Sequence, residues 1–175
     1  MKKTFPILCL LLGMYSFAQQ STLVINNYTN YKLTGRLRAN HVTNCLPELY
    51  VGNTLASGNF TIPPTTTATY EKYFTANVAP IAVNDFLVRM STTTPAAVLA
   101  YNHPDVISIS PITDWRFFAF DVRDNTSINT VYDSFQIGIS SCGAIYPTYQ
   151  LGSVTETEWF WVSSGGTTYT FINIF

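Results

Sequence analysis

Charge is scarce in this chain: Lys, Arg, Asp and Glu together make up 11% of 175 residues. Histidine is scarcer still, with only His41 and His103. Neither G-x-S-x-G nor H-E-x-x-H occurs, which removes the familiar serine-hydrolase and zinc-protease arrangements. His41 stands four residues before Cys45 but lacks the second half of a zinc pattern, and His103 in YNHPD reads as a turn residue. Basic residues form no patch able to neutralise a phosphate backbone, so nucleic acid is excluded as a partner. No apolar run reaches the roughly 20 residues of a spanning helix. Nor does any segment sustain a 3.6-residue apolar period, so little helix is expected.

The N-terminus, MKKTFPILCLLLGMYSFAQQST, has a short basic start at Lys2 and Lys3 and an apolar stretch from Ile7. Ser16 and Ala18 then stand three and one before Gln19, the small-x-small pattern of a cleaved secretory signal. A lipoprotein signal would place its cysteine directly after small residues at the end of the apolar run, whereas Cys9 lies within that run. The expectation is a signal at 1–18, a single domain at 19–175, and a secreted or periplasmic location with no transmembrane helix in the mature chain. Loss of the signal removes Cys9 and leaves Cys45 and Cys142. An even count in an oxidising compartment leads us to expect a disulfide between them.

The whole chain is aromatic and rich in Thr, Asn and Ser, with 12 Phe and 11 Tyr. Such residues favour pleated, half-buried surfaces and turns. Tyr31, Leu33, Gly35 and Leu37 alternate with Lys32, Thr34, Arg36 and Arg38, which predicts a strand with one wet face. Further strands are predicted at Leu23–Ile25, Leu49–Val51, Ala68–Phe74, Asp85–Met90, Val106–Ile109 and Val131–Ile139. Trp115–Val122 is apolar on both faces, as in a central strand. AAVLA favours helix by propensity, but Pro95 and the Asn102-His103-Pro104 turn leave too little room for a stable one. The fold class expected is all-β: a single-domain antiparallel β-sandwich, with a small β-barrel as the alternative. An outer-membrane barrel needs apolar stripes about nine to eleven residues long, and Pro63-Pro64, Pro80, Pro95, Pro104 and Pro111 interrupt the chain.

EWFWVSSGGTTYTFINIF predicts a hairpin with its tip at Ser164-Gly165 and Val162 opposite Thr167. One face then carries Phe160, Val162, Tyr169 and Phe171, and the other Trp159, Trp161, Thr168, Thr170 and Ile172. Trp159 and Trp161 are either core residues or, with Thr168 and Thr170, an aromatic strip that stacks on sugar rings. Asp121, Asp124 and Asn125 offer oxygen ligands, so calcium is the one cofactor the sequence suggests, although their spacing is that of an ordinary turn. Asp114, Asp121, Glu156 and Glu158 flank aromatic strands, but spacing alone identifies no facing carboxylate pair of the kind a glycosidase needs. Three N-x-S/T triplets begin at Asn27, Asn59 and Asn125. The functional expectation is a non-catalytic binding module for a glycan or another surface protein. The alternatives are a structural subunit of an envelope assembly and, third, a carboxylate-based hydrolase.

Overall fold

The computed structural model describes residues 20–51, 60–78, 80–127, 130–140 and 142–175. The expected signal and its cleavage site, and Asn59, lie outside them. Twelve strands form: β1 (Gln20–Asn27), β2 (Lys32–His41), β3 (Glu48–Val51), β4 (Phe60–Ile62), β5 (Thr66–Tyr70), β6 (Asp85–Arg89), β7 (Ala97–Ala100), β8 (Thr113–Arg123), β9 (Val131–Gly138), β10 (Tyr149–Leu151), β11 (Glu156–Ser164) and β12 (Thr167–Ile174). Among the described residues one α-helix, α1, spans Pro104–Ile109.

The strands make two sheets packed face to face, a sandwich and not a closed barrel. The five-stranded sheet runs β10-β11-β12-β1-β5. The seven-stranded sheet runs β7-β6-β3-β2-β8-β9, with β4 sharing with β3 one edge of β2. All described pairings are antiparallel except β1 with β12, which run parallel from Gln20↔Thr167 to Asn27↔Ile174. A parallel pair needs no tight turn, so the first and last strands can meet in this way.

The core follows the period-two pattern. Leu33 and Leu37 of β2 point inward beside Phe118, Phe120 and Val122 of β8, and Lys32, Thr34 and Arg36 point away. Gly35 sits where a Cβ would come within 2.2 Å of the Ala119 carbonyl, so glycine lets β2 and β8 approach. From the other sheet come Leu23, Ile25, Ala68, Tyr70, Trp159, Ile172 and Ile174. Trp115 packs on Tyr73 at 4.8 Å and Tyr70 at 6.3 Å between ring centres. Burying each such ring contributes about 1.5–3 kcal/mol.

Several expectations need correction. Val106–Ile109 is helical, not a strand. Pro104 suits a first helical position, His103 Nδ1 accepts the Asp105 N–H at 3.2 Å, and Val106 and Ile109, three apart, are the buried pair. AAVLA forms no helix, as expected; its last four residues become the edge strand β7, for which β6 offers a ladder. The strand predicted over Ala68–Phe74 stops at Tyr70. A 3₁₀ turn at Tyr73–Thr75 follows, closed by the Lys72 N–H donating to Thr75 Oγ1 at 3.0 Å. In the hairpin, Ser164 pairs with Thr167 and Val162 with Tyr169, two residues away from the predicted register. Gly165 and Gly166, at φ of 58° and 81°, make the two-residue tip that suits a twisted hairpin. A shift of two keeps every side chain on its predicted face.

Asn27 is buried, with Nδ2 donating to the Tyr31 and Pro63 carbonyls at 2.8 Å each, which removes it as a glycan acceptor. Asp133 of β9 reaches across to the turn between β10 and β11. It accepts the N–H groups of Ser153, Val154 and Thr155 at 2.6–3.0 Å and the Thr155 hydroxyl at 2.9 Å. Burial alone would raise its pKa; the Ser153, Val154 and Thr155 bonds outweigh that and hold it below the usual carboxylate value. A depressed folded pKa contributes stability that is present above the unfolded value, about 4, and is lost as pH falls through the folded one. Urea titrations between neutral pH and pH 3 should therefore show a shallower loss of stability for Asp133→Asn than for the wild type. Identical slopes would rule out Asp133 as a source of acid sensitivity.

Candidate functional site

Beyond the packed core, the β11–β12 hairpin projects past the edge of the sandwich. Its inward face there meets the start of β8 across an open groove of about 480 Å³. That volume lies within the range of about 300–1,000 Å³ usual for ligand sites. The hairpin supplies Trp161, Ser163, Thr168 and Thr170, and the opposite wall supplies Thr113, Asp114, Arg116 and Ile139. Ser21 of β1 and Lys72 close one end.

The four hairpin residues singled out by sequence divide into two kinds. Trp159 is only 2% exposed and Thr170 only 1%, because the opposing sheet still covers them. Trp159 is therefore core and cannot stack on a ligand, which corrects the idea of a two-tryptophan strip. Trp161 is 54% exposed and pairs with Thr170 on β12. It presents a flat aromatic wall beside hydroxyl groups, of which Ser163 Oγ and Thr168 Oγ1 lie 3.2 Å apart.

The opposite wall is polar and mostly self-satisfied. Asp114 Oδ1 accepts the Ser21 hydroxyl and, at 2.8 Å, the Trp115 N–H. Lys72 Nζ donates to the Ser110 and Thr113 carbonyls at 3.2 and 3.1 Å and lies over the Tyr73 ring at 5.3 Å. Burial lowers the Lys72 pKa, with the Asp114 charge opposing the shift. Arg116 is the exception: its Nε is buried without a hydrogen-bond partner among the described residues.

Arg116 was not legible as a site residue. It is the extra residue of a β-bulge, since Arg38 pairs with Phe117 while the next residue, Ala39, pairs with Trp115. The one available signal is in WRFFAFDV: Phe118, Phe120 and Val122 share a face, yet Trp115, also buried, is out of step with them. A bulge resolves the mismatch and re-aims the intervening side chain.

The remaining candidates lie elsewhere. Asp121 is on the outer face of the seven-stranded sheet, held by Arg123 Nη2 at 2.5 Å and Ser134 Oγ at 2.7 Å. Asp124 caps its own turn through Thr126 and Ser127, accepts the Tyr132 hydroxyl, and is brought down to about 2, chiefly by the Thr126 hydroxyl. Asn125 is exposed in that turn. Among the described residues no group of three His, Cys, Asp or Glu side chains is arranged to hold a metal ion. His41 Nδ1 accepts the Thr43 and Asn44 N–H groups, a loop-closing role. Glu158 bonds Asn173 and Glu156 bonds Tyr149, both on the outer face of the five-stranded sheet.

The expected Cys45–Cys142 bridge is not formed: both cysteines are exposed and no disulfide joins them. Cys142 stands in a turn at φ 58° with Sγ 3.6 Å from Asn40 Nδ2, while the loop carrying Cys45 folds around His41.

No protein-family model matches the chain, and no curated protein matches it either. The site is read from its own chemistry alone. Since Trp115 and Trp159 are buried, acrylamide should quench only the Trp161 component of the emission. Trp161→Phe should abolish that quenching, and persistence of the quenchable fraction would place a different tryptophan at the surface.

Proposed function

We propose that the protein is an exported, non-catalytic binding module that recognises a glycan in the groove beside Trp161. The observation that carries this reading is the exposed Trp161 ring facing a wall of polar side chains across a groove of saccharide size. A sugar ring offers an apolar face and a belt of hydroxyls, and the groove offers the matching pair: aromatic area and hydroxyl partners. Export is supported by the Lys2-Lys3 start, the apolar run and the Ser16-Phe17-Ala18 ending. The non-catalytic part is supported by the acids at hand. Asp114 is the one carboxylate lining the groove, and it is already engaged by Ser21 and Trp115. Glycoside hydrolysis in most families uses two carboxyl groups flanking one bond.

A glycan array followed by titration of the positive sugars tests the reading. Trp161→Ala should keep the wild-type circular dichroism spectrum and weaken binding more than about tenfold, as loss of an aromatic anchor does. Undiminished binding by a folded Trp161→Ala variant would overturn the assignment of the groove.

A second reading, a subunit of an envelope assembly, has one observation in its favour. The outer face of the same hairpin exposes Phe160, Val162 and Tyr169, with Phe160 stacked on Phe171 at 5.0 Å. Exposed apolar patches of this kind mark interaction surfaces. On that reading Phe160→Asp releases the protein from a sedimenting envelope complex while leaving glycan binding intact; unchanged sedimentation argues against it.

A further inference from the structure

We propose that the groove selects acidic saccharides, those carrying a ring carboxylate, with Arg116 as the residue that reads the charge; this rests on the glycan reading above. Three observations converge on Arg116. The bulge in β8 makes it the residue removed from the regular alternation. Its side chain lines the groove together with Trp161. Its Nε is buried with no partner among the described residues, and no carboxylate pairs with its guanidinium there. Asp114, the carboxylate that lines the same groove, accepts from Ser21 and from the Trp115 N–H instead.

Arg116 Nε itself is closed off from the groove, so what a ligand would meet is the end of the guanidinium, whose charge no carboxylate among the described residues neutralises. A guanidinium presents its N–H groups in a planar fork that matches a carboxylate in two parallel bonds. The other cation, Lys72, is committed to two backbone carbonyls, so the charge available to a ligand is that of Arg116. One uncommitted cation among hydroxyls and a tryptophan suits a saccharide with sparse negative charge. A nucleic acid would demand a line of cations that this groove lacks.

The experiment compares a short oligogalacturonide with its fully methyl-esterified form, which keeps the rings and removes the charge. Isothermal titration with wild-type protein should give tighter binding of the acid, by about ten- to a hundredfold for one charge-assisted contact. Arg116→Gln should bring the acid-to-ester affinity ratio close to one, and Arg116→Lys should leave it intermediate. Ser163→Glu, on the exposed hairpin, should lower the ratio as well and covers the case in which Arg116→Gln does not fold. The preference should weaken with added salt. Equal binding of acid and ester by the wild type would overturn the inference while leaving the glycan reading intact, as would a ratio unmoved by both variants. An array on which no sugar binds at all would overturn both.

Discussion

Trp115 and Phe118 both have to face inward, yet they are three residues apart on one strand. A regular strand sends residues three apart to opposite faces, so β8 meets the constraint with one extra residue, Arg116. Much follows from that choice. Trp115 can fill the space between Tyr70 and Tyr73, which brings the turn at Tyr73–Thr75 and, through Lys72, the end of the helical segment onto the start of β8. The same extra residue puts a guanidinium at the mouth between the sheets. Core packing and the polar wall of the groove are thus two results of one local irregularity.

The scarcity of charge has a structural counterpart. Among the described residues three ion-pair contacts occur, one of them involving His103. Loops are held instead by single polar side chains that collect backbone groups. Asn27 gathers the Tyr31 and Pro63 carbonyls, Asp133 gathers three N–H groups, and His41 closes its own loop. Several of these bonds join segments 20 or more residues apart, so they do the tying that charge pairs do elsewhere. Against that background Arg116 differs from its neighbours on the same wall, since Thr113, Asp114 and Lys72 all have hydrogen-bond partners in the protein.

Much of the architecture was legible because sheets repeat every two residues. The alternation over β2, the doubly apolar β8 and the faces of the β11–β12 hairpin were all readable, and the hairpin faces survived a wrong register because the error was an even number. What was not legible depended on distance from the other sheet. Trp159 and Trp161 lie on the same face of one strand and have the same chemistry; only the extent of the opposing sheet makes one core and the other surface. The bulge at Arg116 was hidden for a related reason, since apolar residues on both sides of β8 blur the face to which each belongs. The helix at Pro104–Ile109 was missed because six residues give too short a period to separate strand from helix. The bridge between Cys45 and Cys142 was inferred from a count, and a count carries no direction for either sulfur.

The parallel pairing of β1 with β12 has a consequence for the order in which the molecule can be made. β1 lies in the interior of its sheet, between β12 and β5, and its inward side chains Leu23 and Ile25 are fully buried. One edge of its ladder is therefore supplied by β12, far along the chain. A polypeptide that emerges from its N-terminus can pair β1 with β5 early but must hold the other edge open until β12 arrives. The five-stranded sheet therefore joins segments from opposite ends of the described residues, and loss of β12 would be felt directly by β1.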